Sequence, residues 1–242
     1  MRRALVTGAG HGIGAAIALA LAQDGCDVVV HYRQSAGTVV SRIEALGRKA
    51  VAVQADLLSP GEADRLVQES VAFLGGIDVL VCNAGHLVGR VTVADMSDEH
   101  YAKVMDVNVG TTFRTVRAAI PHLKQGARVI TMSSLAAHNG GGAGASAYAT
   151  AKGGVMSFTR AMAKELGPRG IRVNALCCGM IATSFHDTFT KPEVRKNVAA
   201  ATPLRREGTA AEAADAAVFL ASSDAAFVNG ACLDVNGGLA FS

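Results

Sequence analysis

Short apolar runs alternate with longer helical segments along the whole of this 242-residue chain. The runs are rich in Val, Ala and Leu and predict buried strands, whereas the segments between them carry the longer spacing of helices. Buried strands that alternate with helices indicate a parallel sheet with helices on both faces. The predicted strands are residues 4–7, 27–32, 50–54, 78–82, 128–132, 172–176 and 232–235. The predicted helices are residues 13–23, 38–46, 60–74, 98–122, 147–166 and 210–221.

The order of these elements predicts an α/β fold, a single doubly wound domain of the Rossmann type over residues 1–242 with a seven-stranded parallel sheet. A chain of this length can bury a large share of its surface in one domain. We find no linker or internal repeat that would divide it. Ligands of such sheets bind beyond the carboxyl ends of the strands, so we expect the functional residues there.

A glycine-rich turn follows the first predicted strand, in the sequence Thr7-Gly8-Ala9-Gly10-His11-Gly12-Ile13-Gly14. Glycine allows positive φ and close approach of the backbone, and the free N–H groups of the following helix attract an anion. The turn therefore predicts a dinucleotide phosphate site, against the alternative of a glycine turn without a ligand. The residues expected to bind are Gly8, Gly10, His11, Gly12, Ile13 and Gly14.

Tyr148 and Lys152 stand four residues apart in a predicted helix, so both side chains lie on one face. A free phenol is a poor acid or base at neutral pH, and a nearby ammonium lowers the phenol pKa toward the working range. The pair therefore predicts a proton donor. Taken alone, the spacing also fits a helix with one half-buried and one solvated residue.

Motifs along the whole chain resemble the short-chain dehydrogenase/reductase family in its classical form, and in particular its bacterial 3-oxoacyl-[acyl-carrier-protein] reductase-like members. Besides the glycine turn and the Tyr148 to Lys152 spacing, they are Cys82-Asn83-Ala84-Gly85, Val107-Asn108-Val109, the strand that ends in Ser133-Ser134, and the last strand with its Gly-Gly ending in residues 230–238. The resemblance implies an NAD(P)-dependent enzyme that interconverts a carbonyl and a secondary alcohol by hydride transfer.

The resemblance also implies one role for each catalytic residue, namely Asn108, Ser134, Tyr148 and Lys152. Tyr148 would donate a proton to the substrate oxygen, while Lys152 lowers the pKa of Tyr148 and holds the nicotinamide ribose. Ser134 would hydrogen-bond the carbonyl oxygen, and Asn108 would hold a water that links Lys152 to solvent. The further cofactor contacts that the family implies are Asp56, Leu57, Asn83, Ala84, Gly85, Gly179, Ile181 and Thr183.

The end of the second strand predicts which cofactor binds. Family members specific for NAD carry an acidic residue there, whereas an arginine accepts the 2′-phosphate of NADP. This chain reads His31-Tyr32-Arg33, so no carboxylate repels a phosphate and Arg33 can pair with one. We expect NADP(H) to be preferred, with NAD(H) as the alternative if Arg33 is merely solvated.

Two departures from the family pattern concern loops around the site. Ser134 precedes Tyr148 by one residue more than in many members, and the glycine-dense loop at residues 140–144 can hold the extra residue. Cys178 replaces the proline that usually precedes Gly179, which leaves that loop less constrained. We expect cofactor binding to survive both changes.

The composition of the chain argues against several classes of partner, namely nucleic acid, membranes and metal ions. The net charge is +3, from 23 basic and 20 acidic residues without a clustered basic run, which argues against nucleic acid. No apolar window reaches the ~18 to 20 residues of a membrane span, and we expect a cytoplasmic protein. Five cysteines in mostly apolar contexts indicate reduced thiols. Adjacent Cys177 and Cys178 would point in opposite directions on a strand, so we expect no metal site.

Three functions stay open at this point. The first is an NADP(H)-dependent oxidoreductase of a small polar substrate such as a sugar or keto acid, which His186 and Asp187 could bind. The second is a 3-oxoacyl-[acyl-carrier-protein] reductase, for which three arginines could form a basic rim: Arg128, Arg169 and Arg172. The third is a noncatalytic dinucleotide-sensing protein, a class that typically lacks the Tyr or the Lys. The family is usually homotetrameric through the helices that carry Asn108 and Tyr148.

Overall fold

The predicted seven-stranded parallel sheet is confirmed in the computed structural model, which describes residues 2–241. The strands are β1 (Arg2–Val6), β2 (Cys26–Tyr32), β3 (Ala50–Gln54), β4 (Ile77–Cys82), β5 (Leu123–Ser134), β6 (Arg172–Cys178), β7 (Ile181–Ala182), β8 (Gly208–Thr209) and β9 (Cys232–Val235). The order across the main sheet is β3-β2-β1-β4-β5-β6-β9, and the short strands β7 and β8 pair separately. Every neighbouring pair is parallel.

Helices cover both faces of the main sheet. They are α1 (Gly12–Gln23), α2 (Val39–Ala45), α3 (Glu62–Leu74), α4 (Asp98–Met105), α5 (Thr111–Ala119), α6 (Ala136–Asn139), α7 (Ser146–Leu166), α8 (Ser184–Phe189), α9 (Pro192–Ala201) and α10 (Ala210–Ala221). One face is covered by α1, α2 and α10, and the other by α3, α5 and α7. This arrangement buries both sides of β2, which explains why its residues form an almost unbroken apolar run.

The core consists of aliphatic side chains, many of them small. Ile17 and Leu21 of α1 pack with Ala217 and Leu220 of α10 over one face of the sheet. Alanine at these contacts lets the helices approach the strands closely. The connections run outward in opposite directions from β1 and β4, which are neighbours in the middle of the sheet. A crevice forms at such a reversal, and this is where doubly wound sheets bind their ligands.

The predicted helix at residues 98–122 is interrupted, which corrects the sequence prediction. Its first part is α4, its second part is α5, and a π-helical turn at Asp106–Gly110 separates the two. The segment closes in a short 3₁₀ turn at Ile120–His122, where Pro121 is accommodated at the start of the turn. Apolar periodicity does not reveal the interruption, because the turn itself carries apolar residues.

Side-chain hydrogen bonds account for the π-helical turn. Asn108 donates from Nδ2 to the carbonyl oxygen of Val104, the acceptor that an α-helix reserves for the backbone N–H of residue 108. The N–H of Thr111 bonds to the carbonyl of Asp106, one residue further back than in an α-helix. The hydroxyl of Thr112 bonds to the carbonyl of Asn108, a contact that bends helices. π-helical turns of this kind frequently occur at functional sites.

Several elements lie outside the sequence prediction. β5 begins at Leu123 rather than at residue 128, since it continues through three exposed residues that carry no apolar pattern. α6 follows β5 directly, and α8 and α9 follow β7. All five cysteines are free, as predicted. No helix within residues 2–241 has the length and apolar character needed to cross a membrane.

Candidate active site

A cleft of about 760 Å³ opens beyond the carboxyl ends of the central strands. Every predicted catalytic and cofactor-binding residue lines this cleft except Asn108, which is fully buried. The residues that line it are Gly8, Gly10, His11, Gly12, Ile13, Gly14, Arg33, Asp56, Leu57, Asn83, Ala84, Gly85, Ser134, Tyr148, Lys152, Gly179, Ile181 and Thr183. The sheet thus brings together side chains from most of the length of the chain.

The glycine turn after β1 leaves no room for side chains at two positions. A Cβ on Gly10 would overlap the carbonyl oxygen of Ser35, and a Cβ on Gly14 would overlap that of Gly8. Gly8 itself adopts a φ of +62°, a left-handed conformation that favours glycine. The first N–H groups of α1 have no partners within the helix, so the turn offers an anion site. These features fit the pyrophosphate of a dinucleotide.

The imidazole of His31, on β2, supports the glycine turn, a contact that sequence reasoning missed. Its Nδ1 accepts a hydrogen bond of 2.9 Å from the N–H of Gly8, and its Nε2 lies 3.1 Å from the carbonyl oxygen of Ala55. Nε2 must therefore carry the proton and Nδ1 must be free of one. Burial lowers the pKa of His31 and favours this neutral ring. The sequence signal that could have revealed this contact is the position of a polar residue, His31, within a predicted buried apolar strand.

The end of β4 holds the glycine turn from the other side. Asn83 donates from Nδ2 to the carbonyl oxygens of Thr7 and Gly8, at 3.0 Å each. The N–H of Ala84 donates to the hydroxyl of Thr7, also at 3.0 Å. Thr7 and Asn83 thus fix the turn relative to β4, which explains why a threonine precedes the first glycine.

Ser134, Tyr148 and Lys152 converge on one part of the cleft. The hydroxyl of Ser134, at the end of β5, lies near that of Tyr148 on α7 and lowers the pKa of this phenol. Lys152 lies one turn further along α7, with its Nζ 5.5 Å from the centroid of the Tyr148 ring. This Nζ donates a 2.7 Å hydrogen bond to the carbonyl oxygen of Met132. The hydroxyl of Ser133 donates at 2.9 Å to the carbonyl of Lys152, which fastens α7 to β5.

Burial dominates the ionisation of this pair. It raises the pKa of Tyr148 to about 12, and the hydroxyl of Ser134 offsets it only in part. Burial also lowers the pKa of Lys152 to about 8. Burial therefore outweighs the lowering of the Tyr148 pKa expected from Lys152, because desolvation disfavours the charged form of both groups. Tyr148 is a protonated phenol at neutral pH, which is the form that donates a proton.

Asn108 is fully buried near Lys152. Its Nδ2 donates to the carbonyl oxygens of Val104 and His86 at 2.8 Å each, and its Oδ1 accepts from the N–H of His86 at 3.2 Å. A Cβ on Gly85 would lie 2.8 Å from this Oδ1 and 3.2 Å from Nζ of Lys152. The amide of Asn108 and the ammonium of Lys152 therefore approach the same point of the backbone, which only glycine leaves open.

The mouth of the cleft beyond β2 is basic. Arg33 is exposed there and lines the cleft together with Gln34 and Ser35, so this segment contributes no carboxylate. Burial, together with the charge of Arg33, lowers the pKa of His86 across the cleft. Asp56, after β3, accepts a 3.1 Å hydrogen bond from the N–H of Leu58 and so closes a local turn.

The loop after β6 is held in place although Cys178 stands where the family usually has proline. The carbonyl of Cys178 accepts a 2.9 Å hydrogen bond from the N–H of Leu135, and the N–H of Gly179 donates at 3.0 Å to the carbonyl of Val235. A Cβ on Gly179 would lie only 2.8 Å from Cβ of Asn236. Backbone hydrogen bonds and close packing thus constrain the loop.

The segment between Ser134 and Tyr148 consists of α6 followed by a glycine loop. In this loop Gly140, Gly141 and Gly144 adopt φ values of +81°, +72° and +71°. Such conformations favour glycine and give the loop the freedom to hold the extra residue. The loop lines the cleft beside Tyr148.

The aromatic ring of Phe185 lines the cleft and belongs to a cluster of rings near Tyr148. The ring of Phe185, on α8, lies 6.1 Å from that of Tyr148 and 5.2 Å from that of Phe189. Phe189 in turn meets the ring of His86 edge to face at 5.0 Å. Aromatic pairs at these separations attract one another, so α8 presents a packed ring surface next to the catalytic phenol.

His186 and Asp187, the polar residues expected to contact substrate, are engaged elsewhere. Asp187 forms an ion pair with Arg195 of α9 and does not line the cleft. His186 lines the cleft, but its Nδ1 lies 3.0 Å from the hydroxyl of Thr190 and its ring packs edge to face on Phe185. Asp187 is therefore turned to α9, and one ring nitrogen of His186 is already engaged with Thr190.

Comparison with known proteins agrees with this geometry. A sequence model of the family described as enoyl-(acyl carrier protein) reductase matches residues 8–240. The short chain dehydrogenase/reductase AacuN of Aspergillus aculeatus is 39% identical, over 98% of this chain and 95% of its own. Versicolorin reductase 1 of Aspergillus parasiticus is 38% identical, over 97% of this chain and 95% of its own.

Solved structures share the fold over nearly their whole length. A short chain dehydrogenase from Burkholderia cenocepacia J2315 in complex with NADP has a TM-score of 0.92 at 35% identity, covering 98% of this chain and 97% of its own. A blue fluorescent protein from a metagenomic library in complex with NADPH has a TM-score of 0.93 at 34% identity, covering 99% and 98%. The NADH-dependent reductase A1-R′, responsible for alginate metabolism, has a TM-score of 0.91 at 33% identity, covering 100% and 98%.

The doubly wound sheet, the glycine turn and these relatives together define an NAD(P)-dependent oxidoreductase. More specifically, the chain belongs to the short-chain dehydrogenase/reductase family. The family resemblance identified from the sequence motifs is thereby confirmed.

Proposed function

We propose that this enzyme is an NADP(H)-dependent oxidoreductase that interconverts a carbonyl and a secondary alcohol, with Tyr148 as the general acid. The observation that carries the proposal is the convergence of Ser134, Tyr148 and Lys152 in the same cleft as the glycine turn, with Lys152 one helical turn from Tyr148. A substrate carbonyl oxygen beside the hydroxyls of Ser134 and Tyr148 would receive hydrogen bonds from both.

The chemistry follows from the ionisation of these side chains. When bound, the reduced nicotinamide supplies a hydride to the carbonyl carbon. The hydroxyl of Ser134 stabilises the negative charge that develops on the carbonyl oxygen, and Tyr148 transfers its phenolic proton to that oxygen. The raised pKa of Tyr148 keeps the proton available at neutral pH. The ammonium of Lys152 then stabilises the phenolate, and Asn108 holds the water through which a proton returns.

NADP(H) is the cofactor that we propose, with NAD(H) as the alternative. Arg33 lies exposed at the mouth of the cleft, in a segment without a carboxylate, where a 2′-phosphate can accept its N–H groups. Two solved relatives are complexes with NADP or NADPH, whereas A1-R′ is NADH-dependent. Because relatives of similar identity use either cofactor, the argument rests on Arg33 of this chain.

The substrate that the cleft fits best is a carbonyl attached to an aromatic or apolar ring system. This differs from the small polar substrate predicted from the sequence, because His186 and Asp187 are held by other side chains. A flat ring could stack against Phe185 while its carbonyl reaches Tyr148. Aliphatic side chains line the same cleft, namely Leu87, Leu135, Val194, Val198 and Leu239.

Reduction of a 3-oxoacyl thioester on acyl carrier protein is the second candidate, and the description of the matching family model shares with it only the acyl carrier protein. The positions of the three arginines expected to form a basic rim argue against this candidate. Arg172 begins β6, at the opposite end of the strand from the cleft, and Arg128 is its register partner on β5. Arg172 and Arg169 also donate their hydrogen bonds to backbone carbonyls. The noncatalytic alternative is disfavoured by the complete set of Ser134, Tyr148 and Lys152.

We also propose that the enzyme is a homotetramer that uses the outer surfaces of α5 and α7. Phe113 of α5 is 44% exposed, and its ring meets that of Phe158 of α7 edge to face at 6.3 Å. The guanidinium of Arg117 lies 5.2 Å from the centroid of the Phe113 ring. An exposed aromatic pair beside a cation is typical of a contact with another subunit.

Substitution of Tyr148 tests the proposed reaction. We expect Tyr148→Phe to reduce turnover by about two orders of magnitude or more, because the substrate oxygen loses its proposed proton donor, while the fold and NADPH affinity are kept. Tyr101→Phe, at a 44% exposed tyrosine of α4, is the matched control and should turn over normally. Near-normal turnover of folded Tyr148→Phe would contradict the assignment.

A panel of substrates, followed by NADPH consumption, separates the candidate functions. The panel contains cyclic aromatic ketones, sugars, keto acids and 3-oxoacyl thioesters. We expect the highest kcat/KM with the aromatic ketones. Consumption confined to thioesters would establish the second candidate, and consumption confined to sugars or keto acids would contradict the aromatic substrate class. NADPH binding without consumption of any substrate would favour the sensing protein.

A further inference from the structure

A cluster of metal-ligating side chains lies outside the described cleft, at the β9 edge of the main sheet. A ring nitrogen of His138, Sγ of Cys177 and a carboxylate oxygen of Asp234 all lie within 4.8 Å of one another. Cys177 and Asp234 are register partners on β6 and β9, so their side chains share one face of the sheet. Cys232 stands two residues before Asp234 on that face, and its thiol is near enough to that of Cys177 for each to shift the pKa of the other.

Nε2 of His138 is the atom that points to a missing ligand. It is buried and has no hydrogen-bond partner within residues 2–241. Oδ1 of Asp234 lies 3.7 Å from it, which is too far for a direct hydrogen bond. Two nitrogen or oxygen ligands of a tetrahedral zinc ion, each about 2.0 to 2.2 Å from the metal, stand roughly 3.3 to 3.6 Å apart. The separation of these two atoms therefore suits a shared metal ion better than a direct contact.

We propose that this cluster binds one zinc ion per chain, through the imidazole of His138, the thiolates of Cys177 and Cys232, and the carboxylate of Asp234. Two thiolates, an imidazole and a carboxylate form a donor set typical of zinc, whereas magnesium and calcium prefer oxygen alone. Each thiol releases its proton to solvent when the metal binds. The filled site is slightly negative, and Arg160 on α7, which acts electrostatically on Cys232, offsets that charge.

The site has a structural role that its place in the fold defines. His138 belongs to α6, which directly follows Ser134 at the end of β5, so the metal ties the segment after Ser134 to β6 and β9. β9 is the edge strand of the main sheet, which leaves a route for the ion from that side. The sequence expectation of no metal site compared Cys177 only with Cys178, whereas the partners of Cys177 come from α6 and β9.

Zinc binding by the full-length protein tests the proposal without cofactor or substrate, so its outcome is independent of the proposed reaction. The protein is stripped with a chelator and titrated with zinc chloride alone against a chromogenic competitor. We expect one zinc per chain, and cobalt in its place should give thiolate charge-transfer bands. His138→Gln, Asp234→Asn and Cys177→Ser should each weaken zinc binding by at least about 100-fold. Cys26→Ser, at a buried cysteine of β2, is the matched control and should bind normally.

Thermal unfolding of each variant without metal shows whether it is folded, and added zinc should raise the melting temperature of the wild type and of Cys26→Ser alone. If Cys177→Ser does not fold, the zinc affinities of His138→Gln and Asp234→Asn test the proposal. Those two side chains are partly exposed, at 18% and 20%, so we expect both variants to fold. The proposal is overturned if the wild type binds no stoichiometric zinc at micromolar free metal. It is equally overturned if folded His138→Gln and Asp234→Asn bind zinc as the wild type does.

Discussion

Arg33 is the side chain on which the choice of cofactor depends. Its guanidinium is exposed at the cleft mouth and can pair with a 2′-phosphate that NADH lacks. A charge-assisted contact of this kind contributes about 1.5 to 3 kcal/mol, so we expect Arg33→Ala to weaken NADPH binding by about 10- to 100-fold. NADH affinity should barely change. Fluorescence titration of each nucleotide measures both values.

The control for this experiment is Arg42→Ala, which removes an exposed arginine of α2 that does not line the cleft. It should leave both affinities as in the wild type. Equal losses for NADPH and NADH in Arg33→Ala would mean that Arg33 supports the fold rather than the phosphate. A wild type that prefers NADH would show that the cofactor has been misidentified.

Tyr148 illustrates what a motif does and does not say about a side chain. The four-residue spacing to Lys152 correctly predicts that both residues lie together on α7. Spacing alone does not show how deeply the pair is buried, and burial is what raises the pKa of Tyr148 to about 12. The direction of a pKa shift depends on solvent access, which the surrounding elements determine.

His31 links the ends of β1, β2 and β3, and it makes this link dependent on pH. The neutral ring accepts from Gly8 and contacts Ala55, and protonation would remove the acceptor. Because burial lowers the pKa of His31 below its usual 6.5, its contribution to stability is complete above about pH 6.5 and is lost as the pH falls through the lower folded value. We expect NADPH affinity and the free energy of unfolding to decrease together in that acidic range.

Two substitutions of His31 separate titration from packing. In His31→Asn the amide oxygen can still accept from Gly8 but does not titrate, so the acidic loss of NADPH affinity should flatten. His31→Leu should lower the free energy of unfolding by about 1 to 3 kcal/mol at neutral pH, because the buried N–H of Gly8 loses its partner. Denaturant unfolding from pH 5 to 8 measures the difference. An unchanged pH profile in His31→Asn would assign the effect to another group.

The seven strands of the main sheet could be predicted from sequence because they carry short apolar runs, which in central strands such as β2 and β4 are buried on both faces. The π-helical turn could not, because it results from the side chain of Asn108 taking the carbonyl of Val104, a choice invisible to hydrophobic periodicity. The contact between His138, Cys177 and Asp234 could not be predicted from the sequence either, because these residues meet only through the pairing of β6 with β9 in the sheet. Motifs locate residues that chemistry requires, and sheet order determines which others stand beside them.

Assembly of the whole enzyme gives a further measurement. Phe113→Asp places a charge in the proposed contact between subunits, so we expect the tetramer to dissociate into smaller species by light scattering. Phe73→Asp is the matched control, at a phenylalanine of α3 that is 42% exposed compared with 44% for Phe113. It should remain tetrameric. A Phe113→Asp protein that is folded and still tetrameric would place the contact elsewhere.

The π-helical turn at Asp106–Gly110 acts as a spacer that sets the rotational phase of everything after it. The buried stripe of α5, formed by Thr112, Thr115, Val116 and Ala119, faces the sheet only because the turn holds one residue more than a regular α-helix would. Removal of a single residue there would rotate α5 by about 100° and turn this stripe toward solvent. The glycine loop before Tyr148 can change in length without moving a helix face, whereas this turn cannot. Two segments near the same cleft therefore differ in how well they tolerate an insertion or a deletion.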